Sequence, residues 1–472
     1  MKKNTKKICL ALILALVGIA GVKAQRIYAS ELNAAPTATG YDFSFTLNTA
    51  ATNGAIILQS SENTDTIPFG ALSKGRNSIP VDRSRVTTKG NYTWAVTVST
   101  APLPSPVLFT DNANPQVQFY SALGVSVDND FDSPFFGRVY VASGLSGATA
   151  SRATGQGIYI LDAAMSDVTN QGANAYSGGV SYAAYSASPL RCNVAPDGQV
   201  YMNDWTSSSS GVYVMNPANP SVAFRQIYGG ARVGNTGLFQ YASTRAVIGG
   251  PVGSCFVLGK SDTARLYTFD TGYLNPGSLS VNGPTLTRPN NVLQYNIGTS
   301  TSAWVSAPSN AAFDNGAAGY IELNGNSVIA PDARGGWFIS QSRDPGNDTP
   351  NCPVLIHVSA SGKVDFNSGV SSFIGSSVDA GMAVTSDGNR LAISANNDYK
   401  IYDITYDAQN VPSLTLAYDI NPGDQAYSLA FDRAGNLYAI STATTSFLAG
   451  YGLPITDNTF VTPAPATQVL TY

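Results

Sequence analysis

The sequence predicts an all-β chain in which a small β-sandwich is followed by a large β-propeller. A turn-and-strand unit recurs six times between residues 137 and 451, and residues 41–49 alternate apolar with polar side chains. Only 12% of the residues are charged, whereas Gly, Ser, Thr, Asn and Tyr are abundant. That composition suits short strands joined by tight turns and disfavours helices. At 472 residues the chain is long enough for two domains with their own cores.

The first segment is read apart from the fold. Lys2, Lys3, Lys6 and Lys7 precede an uncharged run from Ile8 to Val22, and Val22-Lys23-Ala24 fits a small-residue cleavage signature, so residues 1–24 are expected to be a secretory signal peptide. The apolar run is shorter than the roughly 20 residues a membrane-spanning helix needs, and no later stretch reaches that length, so no membrane span is expected. Gln25 rather than a cysteine follows Ala24, which favours free release or capture by a surface complex over a lipid anchor. The expected location is secreted, periplasmic or at the cell surface.

Cleavage would remove five lysines and no acid, leaving 21 basic against 30 acidic residues. A net negative chain without basic clusters argues against a nucleic-acid partner. Cys192, Cys255 and Cys352 remain, enough for one bridge at most and too few for a disulfide scaffold.

Residues 26–100 are expected to form the sandwich. Tyr41, Phe43, Phe45 and Leu47 alternate with polar neighbours as one half-buried strand. Asn53-Gly54 turns the chain into Ala55–Leu58, and Gly90-Asn91 introduces the strand from Tyr92 to Val98. The pieces Phe43–Asn48, Leu72–Asp82 and Gly90–Val98 resemble the Ig-like domain of flagellar hook-capping proteins, an accessory module of many exported bacterial proteins. The Trp-Asp-Gly turn which that family carries before its last strands is missing here. Residues 101–114, with Pro102, Pro104 and Pro106, read as a Pro-rich linker, because such a segment cannot be a central strand.

The propeller is assigned to residues 115–458. One half of its repeat is a turn before a strand: Gly137–Val141, Ala195–Met202, Gly253–Val257, Ala330–Ile339, Ser386–Ile393 and Asp432–Ala439. The other half is an aliphatic-aromatic strand, as in Ile158–Asp162, Val212–Asn216, Leu266–Asp270, Leu355–Val358 and Ile401–Ile404, with a looser last copy ending at Tyr451. Asp-Gly tolerates φ > 0 between antiparallel strands, and the turn is expected between the second and third strands of a blade. Tyr140, Tyr201, Phe256, Phe338, Ala392 and Tyr438 are equivalent, with one step of 82 residues between Phe256 and Phe338. That step is either an insertion or a seventh blade around Val292–Ile297; six blades are favoured. The pattern resembles the six-bladed propellers of the NHL-repeat and gluconolactonase-like group. Residues 459–472 form a C-terminal tail that either closes the ring or leads into another module.

The candidate chemistry is sparse. His357 is the only histidine and sits in a repeat strand, so a histidine-based triad or metal site is not expected. Asp128, Asp130 and Asp132 alternate as calcium ligands can, but without the Gly and distal Glu of an EF-hand loop. The gluconolactonase-like resemblance implies a channel metal held by Glu, Asn and Asp, for which Glu322 would be the propeller's only glutamate. Trp205 and Trp304 are candidate ligand-binding aromatics if they lie at loop tips, or packing residues between blades. Trp94 and Trp337 are expected in the core. No Gly-rich phosphate loop, CxxC pair or GxSxG elbow is present. The expected function is an exported binding or surface-assembly protein that recognises a glycan or protein, with no committed cofactor. The alternative is a metal-dependent lactonase or hydrolase-like propeller.

Overall fold

The computed structural model describes residues 27–472 apart from 88, 169–174, 181–187, 205–210, 230, 233–238, 241–246, 249–251, 271–290, 299–309, 312–326, 342–353, 369–380, 396 and 442–444. The expected signal peptide lies outside the described residues.

Six strands open the described chain: β1 (Ala29–Pro36), β2 (Gly40–Leu47), β3 (Asn53–Gln59), β4 (Thr64–Pro68), β5 (Gly75–Asp82) and β6 (Asn91–Thr100). β1, β2 and β5 form one antiparallel sheet, and β4, β3 and β6 lie in the second. The alternation in β2 explains the packing, since Phe43, Phe45 and Leu47 are fully buried against Ile56 and Leu58 of β3 and Trp94, Val96 and Val98 of β6. Phe43 meets Trp94 edge-to-face at 4.8 Å. Burying each such side chain stabilises the fold by about 1.5–3 kcal/mol.

The end of the chain returns to this sandwich. Asn458–Pro463 pairs with β6 from Thr100 to Ala95, and Leu470–Thr471 pairs with Tyr92 and Asn91. The segment expected as a tail is thus made of sandwich strands and takes no place in the propeller ring. Pro463 is tolerated there because it ends an edge strand, where no ladder donor is lost. The segment expected as a linker is also built in. Leu103 bridges to Ile455 and β7 (Val107–Leu108) pairs with Tyr451–Gly452, and just beyond the expected linker β8 (Gln118–Tyr120) pairs with Thr445–Phe447. The prolines flank β7, which is an outer strand, so they cost no central hydrogen bonds.

Six sheets form the propeller. Their inner strands are Ala122–Val127, Arg191–Val194, Val252–Leu258, Val328–Pro331, Met382–Val384 and Ala426–Phe431. Each inner strand touches the next, and the sixth touches the first, which closes a six-membered ring. Val292 lies in the third strand of the third blade, Asn291–Asn296, so the 82-residue step is an insertion and not a seventh blade. The repeat turn joins the inner strand to the second strand, rather than the second to the third as expected, because the hairpins pair Val194 with Val200 and Val384 with Leu391.

The turn chemistry is the expected one. Asp197 accepts from the Gln199 N–H at 2.9 Å and Asp387 from the Asn389 N–H at 3.1 Å, and the glycine between each pair, Gly198 or Gly388, has φ of 76° or 71°. Turn aspartates also hold aromatic hydroxyls of the second strand in two blades, Tyr201 on Asp197 at 3.0 Å and Tyr438 on Asp432 at 3.3 Å. Inner-strand serines then join neighbouring blades: Ser126 accepts from Val194 N–H at 2.9 Å and Ser428 from Val125 N–H at 3.1 Å.

Two predictions follow from these contacts. Deleting residues 458–472 strips Leu470 and Tyr472 from the sandwich core and should lower stability by about 3 kcal/mol or more. An unchanged denaturant midpoint would show the last strands to be dispensable. Asp432 gives the second. Burial pushes its carboxyl up to about 7, against the pull of the hydrogen bonds from Asn436 and Tyr438. Its folded-state value lies above the unfolded one near 4, so its favourable contribution is complete below about pH 4 and is lost as pH rises to about 7. The loss is on the order of 4 kcal/mol, and Asp432→Asn should flatten that part of the stability–pH profile.

Candidate functional site

The six inner strands enclose a central cavity of about 390 Å³, within the size range of ligand pockets. Its walls carry small and apolar side chains, among them Val125, Ala330, Ala383 and Met382, with Ser254 and Ser428 between them. Charge is confined to the two ends. Arg191 opens its inner strand, whereas Asp128, Asp130 and Lys260 follow the ends of theirs, so the two groups lie at opposite ends of the cavity.

The acidic end is a docking seat for the sandwich. Asp128 is fully buried, accepts from the Asp130 N–H at 3.1 Å and from the Ser133 hydroxyl at 2.6 Å, and burial pushes its carboxyl up to about 6. Asp130 accepts from the Asp132 N–H at 3.2 Å and pairs with Lys260 at 2.6 Å. Asp132 accepts from the N–H of Ala466, in the returning C-terminal segment, at 3.3 Å. Around them Tyr28 packs between Phe136 and Phe460, and Arg138 pairs with Glu31 of β1 at 2.6 Å. The alternating carboxylates therefore cap a turn and receive the sandwich. Among the described residues no group of three His, Cys, Asp or Glu side chains could hold a metal ion. Glu322, the glutamate of the donor set that the gluconolactonase-like resemblance implies, lies outside the described residues. So do Trp205, Trp304 and Cys352.

His357 sits in the third strand of the fourth blade, away from the cavity lining. It is buried, with Nδ1 2.6 Å from Asp365 and Nε2 3.3 Å from Asp332, and Phe338 lies against its ring at 4.6 Å. Asp332 also accepts from the Tyr406 hydroxyl at 2.8 Å. This is a structural network linking the fourth and fifth blades. Trp94 and Trp337 are both in cores. Cys192 and Cys255 line the cavity as free thiols, and burial pushes both up, Cys255 to about 12, so neither is a nucleophile near neutral pH.

Arg191 is the residue that motif reading passes over. It is 9% exposed, and its Nη1 and Nη2 donate to the carbonyls of Gly253 at 2.6 Å and Tyr427 at 3.4 Å. A signal existed in the repeat. Aligning copies on the turn aspartates Asp197, Asp332, Asp387 and Asp432 sets Arg191 opposite Asn326, Gly381 and Ala426.

These features define a six-bladed β-propeller with a ligand-sized central cavity. No family model matches the sequence, and no curated protein is similar to it. Among solved structures, a gluconolactonase from Xanthomonas campestris is similar at 13% identity over 78% of this chain and 99% of its own, with a TM-score of 0.37. The soluble aldose sugar dehydrogenase of Escherichia coli is 11% identical over 73% of this chain and 98% of its own, with a TM-score of 0.36. A glucose dehydrogenase is 10% identical over 74% and 99%, with a TM-score of 0.38. Likeness at this level brings no activity to this chain, and it does not bear on the hook-capping resemblance of the sandwich.

The His357 network yields a prediction. His357→Leu removes the ring nitrogens that face two carboxylates, one of them fully buried, and should cost about 3 kcal/mol in a denaturant titration. A midpoint equal to that of the unaltered protein would show that the imidazole contributes nothing to the fold.

Proposed function

We propose that this protein is an exported binding or surface-assembly protein that holds a glycan or protein ligand outside the cytoplasm, with the central cavity of the propeller as its recognition site. The observation that carries this reading is the cavity itself. It is large enough for a sugar-sized group and has walls of small and apolar side chains, and among the described residues it holds no group of three His, Cys, Asp or Glu side chains that could bind a metal. The sandwich, seated on the acidic end, serves as a spacer or docking module, in keeping with its resemblance to an accessory domain of exported proteins.

The second reading is a metal-dependent lactonase or hydrolase-like propeller with Glu322 among its ligands, an activity of the kind for which one of the similar structures is named. Elemental analysis of protein purified without chelator separates the two. The binding reading expects no stoichiometric metal and a melting temperature unmoved by EDTA, together with retention of the protein on a glycan or protein array. About one metal per chain, with a melting temperature lowered by EDTA, would establish the second reading instead.

A further inference from the structure

We propose that the end of the cavity where the inner strands begin is an oxyanion site built on Arg191, and, resting on the glycan reading above, that its occupant is the carboxylate of an acidic sugar. Arg191 is nine-tenths buried and lines the cavity. Its guanidinium has five N–H donors. One reaches the Gly253 carbonyl at 2.6 Å, a second reaches that of Tyr427 at a long 3.4 Å, and Nε has no partner. Burial lowers its pKa to about 10, which leaves it a cation near neutral pH.

Among the described residues no carboxylate neutralises that cation. The cavity's acids, Asp128 and Asp130, belong to the opposite end and are taken up by Ser133, Lys260 and their own turn. Two carbonyls supply partial charge only, and a buried cation without a counter-charge is costly to keep. A bracing role between strands would be met by a neutral donor. The repeat shows that the fold does not need the residue, since the equivalent positions carry Asn326, Gly381 and Ala426. The charge is therefore unaccounted for by the described residues and faces a cavity. A planar guanidinium matches a planar carboxylate through two parallel N–H donors.

The test is calorimetric titration of the full chain with glucuronate, inorganic phosphate and glucose. Glucuronate should bind, more weakly as salt rises, and Arg191→Met should weaken it about tenfold or more. Arg191→Lys, which keeps the charge but loses the fork, should fall between them. Should the Met variant not fold, the unaltered protein reads the site directly: glucuronate should raise its melting temperature above that in chloride of equal ionic strength.

Absence of oxyanion binding, or equal affinity in Arg191→Met, overturns the proposal. Arg191-dependent binding of phosphate alone supports the oxyanion site and overturns the sugar acid as its occupant. Glycan-array retention that survives Arg191→Met overturns the Arg191 site while leaving the glycan reading standing. Arg191-dependent glucuronate binding with a blank array supports the site and counts against the wider glycan reading.

Discussion

A propeller ring has a seam, and the rest of this structure depends on how the seam is held. The sixth blade takes only three strands from the end of the repeat, Ala426–Phe431, Leu437–Ser441 and Thr445–Gly452. Its outer strand, Val107–Leu108, comes from before the first blade. Opening the ring would therefore break pairing inside one blade as well as contact between two. The serines add to this, because Ser428 and Ser446 of the sixth blade accept from Val125 and Ala122 N–H groups of the first, at 3.1 and 2.9 Å. Repeat stacks ordinarily gain stability only from nearest neighbours. Closure gives every blade two neighbours and leaves no terminal repeat to cap.

The sandwich secures the same seam from outside. The chain enters the ring from β6 and leaves it into a strand that pairs with β6, so both ends of the propeller are clasped in one sheet. The Asp128–Arg138 loop of the first blade and the Asp432 turn of the sixth then meet the sandwich through Tyr28, Phe136 and Ala434. Asn129 crosses between the two blades, donating to the Phe431 carbonyl at 2.8 Å. Acidic residues gathered at such a junction are explained by turn capping and docking. That explanation, with Asp128 and Asp432 both carrying raised pKa values from burial, also makes the seam sensitive to pH.

Local signals were legible wherever one strand or one turn decides the outcome. The alternation at Phe43, Phe45 and Leu47 became a buried sandwich face, and the turn aspartates Asp197 and Asp387 cap hairpin turns, though between the inner and second strands. Pairings between distant edges were not legible, because an edge strand has no local pattern that names its partner. Thus Val107–Leu108 read as part of a Pro-rich linker, and Asn458–Pro463 as part of a tail. The alternating carboxylates Asp128, Asp130 and Asp132 failed for a related reason. Their spacing is compatible with calcium, but Ser133, Lys260 and Ala466, which take up their oxygens, are positioned by the tertiary fold.

Function is harder to read in a repeat protein because most residues serve the repeat. Asp197, Asp332, Asp387 and Asp432 would each look like a catalytic acid if viewed alone, and their recurrence at one turn identifies them as scaffold. The useful comparison is consequently internal. A residue that breaks the pattern where its counterparts are small or neutral is not required by the blade, and its cost must be offset by something other than folding. His357 breaks the pattern too, but Asp332 and Asp365 lie within hydrogen-bond distance of its two nitrogens, so the fold accounts for it. Arg191 breaks the pattern inside a ligand-sized cavity, with no acid beside it among the described residues. Symmetry sets the background against which that single cation becomes informative.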